Sequence, residues 1–471
     1  MRAFIDDTIV APATASGAAG LAVVRVSGPA ALAVGATLFR GADLRASESH
    51  RAHHGWVVDE RGERLDEVLA LVLRAPGSYT GEDTVEISCH GSPQVVDEIV
   101  AAALAAGARL AGPGEFTRRA FQNGKLDLCQ AEAVADLIAA QSRAARRAAL
   151  LQLQGRLGDR LRDVRAALLQ LLGDIEASID FVEEGLEFFA RDAARARGTG
   201  AAARLEALLD TAGDGMLLRA GVRVSLAGAP NVGKSSLFNR ILHSPRSIVT
   251  EHPGTTRDVV RETVRLGGLA FVLEDTAGLR EVPMDPIEAL GIERSRQSHA
   301  EADVVLYVLD ASRPLLADER RALGRLDRER ALLVLNKIDL VPDGRDPGAA
   351  RGFASDVAGV PADELPECVA ASAETGAGID ALLDALLGLG RVRRLCCGNE
   401  ALVAINQRHR EALLCARAAL LGFDADLQAG EPAEILAADL RAAVTALGEV
   451  SGEQVSEEIL DHIFARFCIG K

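Results

Sequence analysis

Aromatic residues are scarce in this chain, at 3%, with one Trp (Trp56) and two Tyr (Tyr79 and Tyr307). That argues against a single-strand nucleic-acid binder built on rows of stacking rings. Cysteine is sparse as well. Seven residues in 471 form no disulfide framework and no paired C-x-x-C zinc spacing, and the adjacent Cys396-Cys397 has no recognisable metal partners. A reducing compartment is the expectation. No run approaches ~18 uninterrupted apolar residues, so no membrane span is expected. The stretch MRAFIDDTIVAPATASG lacks a basic region followed by a long apolar core, which speaks against a secretory signal. Positive charge is in deficit, with 52 Lys and Arg against 68 Asp and Glu, a formal net charge of −16. Broad, non-specific nucleic-acid binding is therefore disfavoured, although a local basic patch or a structured RNA partner is compatible with it.

What is present is ordinary globular material, 48% hydrophobic and 25% charged, which excludes a largely disordered chain. At roughly 150 residues per domain, the length predicts about three domains. Up to about residue 125, short β-rich runs alternate with turn signals: IVAPA (9–13), LAVVRV (21–26), LALVLRA (69–75) and TVEIS (84–88), followed by the helical PQVVDEIVAAALAAGA. This reads as an α+β domain. From Gln130 to about Ile179 the period becomes helical, with Leu150, Leu153, Leu157, Leu161, Val164, Leu168, Leu171 and Ile175 at steps of three and four. One long bundle helix is expected there, then a second Ala/Arg-rich helical run from about Leu186 to Leu218. VRVSLAG (222–228), LAFVLED (269–275), DVVLYVLD (303–310) and ALLVLNK (331–337) are near-continuous apolar strands, suited to a mainly parallel sheet covered on both faces. Helical period returns after about Gly388. The simplest organisation is an α+β domain (1–125), a helical domain in two segments (126–220 and 389–471), and an α/β domain (221–388) inserted between them.

Gly228-Ala229-Pro230-Asn231-Val232-Gly233-Lys234-Ser235 fits G-x-x-x-x-G-K-[ST] directly after a predicted strand. The loop's N–H groups would wrap phosphates, Lys234 would reach the terminal phosphates, and Ser235 suits Mg²⁺. Taken alone, this is also a Gly-rich turn that matches by chance. Three further segments, in order, reduce that chance. Asp275-Thr276-Ala277-Gly278 ends a strand, with Asp275 near the Mg²⁺ shell and Gly278 at the γ-phosphate. Asn336-Lys337-Ile338-Asp339 ends another, and the Asp339 carboxylate would accept both N1–H and N2–H of guanine, a donor pair that adenine lacks. Ser372-Ala373-Glu374 resembles the loop that supports the base. Together they predict a GTPase. Gly254-Thr255-Thr256-Arg257-Asp258 lies where a switch loop belongs, with Thr256 as a Mg²⁺ ligand in the triphosphate state.

Leu279 stands where many GTPases carry a Gln that orients the attacking water. Another group must do this, and Glu281, Asp285, Glu288 and Glu293 in the following loop are candidates. Asn231 faces the nucleotide; its side-chain carbonyl suits a monovalent cation beside the phosphates, and equally a plain loop Asn that favours turn geometry.

Outside these motifs, Ser78-Tyr79-Thr80-Gly81-Glu82-Asp83-Thr84-Val85-Glu86, Gly114-Glu115-Phe116-Thr117-Arg118-Arg119-Ala120-Phe121, Asn123-Gly124-Lys125-Leu126-Asp127-Leu128, Gln130-Ala131-Glu132-Ala133 and the tail Phe467-Cys468-Ile469-Gly470-Lys471 closely resemble the TrmE/MnmE family of tRNA-modification GTPases. The resemblance covers the whole chain. It implies an N-terminal folate-binding and dimerisation domain, a discontinuous all-α domain, and an inserted Ras-like P-loop G domain. It also implies a cytoplasmic homodimer with potassium-stimulated, Mg²⁺-dependent GTP hydrolysis. A flavin-dependent partner of the MnmG/GidA family, joined in a heterotetramer or larger complex, would act with it to add a carboxymethylaminomethyl- or aminomethyl-type group to C5 of the wobble uridine of certain tRNAs.

Residue by residue, the resemblance assigns a 5-formyl-tetrahydrofolate-type cofactor to Arg25, Glu86, Lys125 and Lys471. GTP contacts fall on Asn231, Val232, Gly233, Lys234, Ser235, Ser236, Thr250, Glu251, His252, Pro253, Gly254, Thr255, Thr256, Asp275, Thr276, Ala277, Gly278, Asn336, Lys337, Asp339, Ser372, Ala373 and Glu374. Mg²⁺ falls on Ser235 and Thr256. Potassium falls on Asn231, Thr250, the His252 backbone carbonyl and Thr255, and the catalytic acid on Glu288. Cys468 is expected to pack or line a pocket rather than to react. Ala15–Gly20 and Cys89–Ser92 depart from the family pattern near the folate pocket. Two other readings compete: a ribosome-assembly GTPase switch, which usually carries a basic RNA-binding module, and a folate-dependent one-carbon transferase with a regulatory G domain.

Overall fold

The computed structural model describes residues 7–180, 190–250, 260–275, 302–341, 355, 361, 365–396 and 405–471. The chain divides into two compact units: 1–135, 152–205 and 411–471 form one, and 136–151 with 206–410 the other.

The first unit opens with a seven-stranded sheet of β1 (Ile9–Pro12), β2 (Ala19–Ser27), β3 (Phe39–Arg40), β4 (Arg51–Val58), β5 (Arg64–Leu73), β6 (Thr84–Gly91) and β7 (Arg109–Leu110), in the order β3-β4-β5-β6-β2-β1-β7. Its pairs are antiparallel except β1 with β7. One face buries Val24, Val26, Val72, Val85 and Ile87 against α1 (Ala31–Leu38) and α2 (Pro93–Ala105), the period-2 pattern of a half-buried strand. The four predicted strands match β1, β2, β5 and β6. β4, RAHHGWVV, had no Val/Ile run to announce it.

α3 (Glu115–Gln122) follows. The single helix expected over 130–179 is three: α4 (Leu128–Ala139), α5 (Arg143–Leu153) and α6 (Arg156–Asp180). Two local devices break the period. The Ser142 hydroxyl accepts the Ala145 N–H at 3.0 Å as an N-cap, and Gly155 adopts a φ of +86° between α5 and α6. Leu157, Leu161, Val164, Leu168, Leu171 and Ile175 are buried on α6 as the pattern required, whereas Leu150 is exposed. α7 (Arg191–Ala220) carries the second helical run; residues 181–189 lie outside the described residues.

The second unit holds β8 (Val222–Ala227), α8 (Lys234–Leu242), β9 (Ile248–Thr250), β10 (Val260–Leu266), β11 (Leu269–Asp275), β12 (Val304–Asp310), α9 (Ala317–Leu323), β13 (Ala331–Asn336), β14 (Glu367–Ala370), α10 (Ile379–Gly388) and α11 (Gly390–Cys396). Strand order is β14-β13-β12-β8-β11-β10-β9. The first five are parallel; β10 and β9 extend the edge antiparallel. Both faces are apolar. Val304, Leu306 and Val308 of β12 enter one core with α8 and α10, while Tyr307 and Leu309 enter the other with α9. This is the mainly parallel, doubly covered sheet predicted for the G domain.

The chain ends in α12 (Gln407–Ala429), α13 (Ala433–Ser451) and α14 (Glu457–Phe464). α13 packs along α6, and the Arg441–Glu176 and Arg165–Glu453 pairs, 2.7 and 2.6 Å, flank that contact. No helix among the described residues is long and apolar enough to cross a membrane.

Candidate functional site

The phosphate-loop sequence leaves β8 and enters α8 at Lys234. Its backbone is left-handed at three places, with φ of +139° at Gly228, +61° at Asn231 and +96° at Gly233. A side-chain carbon at Gly228 would collide with the Val308 carbonyl, and one at Gly233 with the Asn336 amide. Asn is among the few other residues that tolerate this region, so Asn231 does serve turn geometry. It is also exposed, which leaves its side-chain carbonyl available to a cation. Lys234 Nζ donates to the Gly228 and Ala229 carbonyls, 3.0 and 2.8 Å, lying across the loop it would serve.

Asn336, only 1% exposed, joins three motifs. Its Nδ2 donates to the Val232 carbonyl at 2.8 Å, and its Oδ1 accepts the Ala373 N–H at 3.0 Å. Lys337, at φ +65°, donates to the Asn231 carbonyl at 2.8 Å and to Asp310 Oδ2 at 2.7 Å. The Ser372 hydroxyl donates to Asp339 Oδ1 and accepts the Thr375 N–H, and so orients the exposed Asp339 carboxylate. Arg240 on α8 donates to the Ala373 and Glu374 carbonyls. One cluster therefore contains the phosphate loop, the base-reading segment and its supporting loop, gathered at the C-terminal ends of parallel strands where such folds bind ligands.

Asp310 and Arg240 were not singled out in the sequence. Asp310 ends a predicted strand, a signal that could have found it. Burial alone would raise its carboxyl, but the Lys337 ammonium and two Ser312 hydrogen bonds hold it below the ordinary value.

Asp275 ends β11 beside Leu226 of β8, next to the start of the phosphate loop. Ser235 and Ser236 are exposed in the first turn of α8. Hydroxyl oxygens at that position suit Mg²⁺, a hard cation that takes oxygen ligands. Thr250 ends β9. Glu251, His252, Pro253, Gly254, Thr255, Thr256, Thr276, Ala277, Gly278 and Glu288 lie outside the described residues, as do Leu279, Glu281, Asp285 and Glu293.

In the other unit, Arg25 Nε donates to Glu86 Oε1 at 2.8 Å and Nη1 to the Gly470 carbonyl at 3.5 Å. Its guanidinium carbon lies 5.4 Å from the Tyr79 ring centroid and 5.5 Å from that of Phe116. The tail reaches this point because Ile469 bridges Pro113 and Gly114 N–H meets the Cys468 carbonyl at 3.4 Å. A side-chain carbon at Gly470, at φ +98°, would collide with the Pro12 carbonyl. Burial pushes the Lys471 ammonium below its ordinary pKa, the nearby Arg25 adds to this, and Glu86 opposes it. Arg25, Glu86 and Lys471 are thus brought together. Lys125 instead donates to the Pro76 carbonyl at 2.9 Å. Two cations beside a carboxylate fit a folate, whose glutamate tail takes cations and whose pterin donates to carboxylates.

Cys468 is exposed rather than packed, while the preceding Phe467 is buried against Leu460, Ile463 and Phe464. The two departures from the family pattern meet where Ala19 pairs with Gly91, and Cys89 pairs with Ala22 just beyond the first of them. Burial, helped by Asp66, pushes the Cys89 thiol up to about 11.

Comparison with known proteins settles the family. The model described as "GTP-binding protein TrmE N-terminus" matches residues 8–125, and "MnmE helical domain" matches 128–468. The tRNA modification GTPase MnmE of Symbiobacterium thermophilum is 46% identical over 470 residues, covering 99% of this chain and 100% of that protein. This chain belongs to the MnmE family of tRNA modification GTPases. The MnmE proteins of Geobacter metallireducens and Roseiflexus castenholzii are 43% and 44% identical, each across 99% of this chain and at least 99% of their own length. Both phosphate-loop and tail clusters therefore sit in a chain that aligns with MnmE proteins from end to end.

Proposed function

We propose that this chain is a cytoplasmic, homodimeric GTPase that hydrolyses GTP to GDP and supports modification of tRNA wobble uridine at C5 with a flavin-dependent MnmG/GidA-type partner. The observation that carries the GTPase reading is Asn336, whose two buried hydrogen bonds lock the phosphate loop to the loop that supports the base. In this reading Asp339 selects guanine, and Lys234 leaves its loop carbonyls to meet the terminal phosphates. Ser235 and Thr256 would hold Mg²⁺. Asn231, Thr250, Thr255 and the His252 carbonyl would hold K⁺. When bound, these cations supply positive charge beside the phosphates, the part an arginine finger plays elsewhere. Glu288 orients the water. Arg25, Glu86 and Lys471 bind the folate, with Lys125 at its edge. Residues 1–125, 126–220 with 389–471, and 221–388 are the three working divisions of the chain.

The test is GTP turnover in K⁺ and in Na⁺ at equal ionic strength, with wobble-nucleoside mass spectrometry of tRNA from cells lacking the protein. Faster turnover in K⁺, erased by Asn231→Ala with nucleotide binding retained, supports the cation site; equal turnover in both salts removes it. Unchanged wobble nucleosides would overturn the tRNA assignment.

A further inference from the structure

In a chain of net charge −16, two of the described helices carry three arginines each and no acid: α5 with Arg143, Arg146 and Arg147, and α11 with Arg391, Arg393 and Arg394. All six side chains are exposed. The arrangement follows from helical spacing. On α5, Ala145, Ala148 and Ala149 are buried and the arginines fall on the other side. On α11, Val392 and Leu395 are buried, and Ala148, Val392 and Leu395 belong to one core.

The β10–β11 turn links the two helices. Gly267 and Gly268 are exposed at its tip. The Ala144 N–H, one residue into α5, donates to the Gly268 carbonyl at 3.2 Å. A side-chain carbon at Gly267 would touch Leu387, three residues before α11 begins. The turn thus meets the start of α5 at Gly268 and the end of α10, three residues before α11, at Gly267, so both arginine-bearing helices begin near it. Asp214 of α7 lies 3.5 Å from Arg391 and 3.9 Å from Arg394, one carboxylate shared between two guanidinium groups. The contrast with α9 is plain: there Arg321 sits 2.6 Å from Asp318 and the helix supplies its own acids.

We propose that α5 and α11 form one arginine face that holds the phosphate backbone of a folded RNA, the tRNA of the reading above, on which this inference rests. Planar guanidinium groups bind phosphate oxygens in pairs and keep their charge at all working pH values. An acidic molecule repels RNA over most of its surface, so a basic face of this kind also sets the orientation of approach.

The experiment titrates the full-length chain, with GDP, into fluorescently labelled bulk tRNA and follows anisotropy from ~50 to ~200 mM salt. Arg143→Ala/Arg146→Ala/Arg147→Ala removes three phosphate contacts. The slope of log affinity against log salt should flatten by about 2–3, and affinity near 100 mM should drop roughly 10-fold or more. The matching triple Lys variant should keep the slope, because charge is retained. Arg320→Ala/Arg321→Ala on α9 should bind as the parent does. Retained GTP turnover shows that each variant is folded. A triple Ala variant with the parental slope would overturn the arginine face while leaving the tRNA reading standing. A parent chain that shows no salt-dependent tRNA binding would overturn the face, and the nucleoside analysis above then decides the tRNA reading separately.

Discussion

Asn336→Ala should destabilise the nucleotide-binding unit far more than a one-residue polar truncation usually does. Asn336 is 1% exposed and makes two hydrogen bonds, to the Val232 carbonyl at 2.8 Å and from the Ala373 N–H at 3.0 Å. Alanine removes both bonds and leaves no water-accessible replacement, because Val232 and Ala373 are themselves buried. Each backbone group stripped of a buried partner costs about 1–3 kcal/mol, so the pair should cost about 2–6 kcal/mol. Against a total stability of about 5–15 kcal/mol that is a large share. At about 2–4 °C per kcal/mol for a unit of this size, melting should fall by roughly 5–20 °C. The assay is thermal unfolding by circular dichroism, in nucleotide-free buffer and with saturating GDP, beside Asn239→Ala. Asn239 is exposed on α8 and should shift stability by less than about 0.5 kcal/mol. GDP affinity of Asn336→Ala should fall as well, since the phosphate loop and the base-end loop are no longer held at a fixed distance. Melting within 2 °C of the parent, on about the same slope, would refute the claim that Asn336 is the joint of the site.

Asp339→Asn replaces an acceptor with a donor opposite the guanine N–H groups and should weaken GTP binding by roughly 2–4 kcal/mol; unchanged affinity by calorimetry would mean another group reads the base. Deleting residues 468–471 removes the Ile469–Pro113 bridge and the Gly470 carbonyl that receives Arg25, so folate binding should drop while intrinsic GTP hydrolysis persists. Equal folate affinity in the truncated chain would break the link between tail and pocket. Asp310 has a folded pKa below its ordinary 3.8, so its pair with Lys337 stabilises the fold above that value and loses the contribution as pH falls through the depressed one. Asp310→Asn should therefore flatten the acid end of the stability–pH curve, and an unchanged curve would show that the pair is not linked to folding.

The order of the four nucleotide motifs, and the strands that carry the first three, were legible in the sequence because each is local. β8, β11, β12 and β13 are short apolar runs buried on both faces, and each motif sits at a strand end. The helical face of α6 was legible for the same reason, through Leu157 to Ile175 at a fixed period. The break into α4, α5 and α6 was not, since Ser142 and Gly155 are small perturbations within a pattern that otherwise continues. Edge strands β9 and β14, the neighbouring β10 and the strand β4 were missed for want of continuous Val, Ile and Leu. Only tertiary structure decided which residues meet. Asn336 reaches Val232 across 104 positions, and Arg25 reaches Gly470 across 445. Separations of that length leave no trace in local composition, and they depend on where the parallel sheet and the tail are packed. The same holds for the arginine rows of α5 and α11, which are ordinary solvated faces in sequence and begin near one turn only after the core has closed around Ala148, Val392 and Leu395.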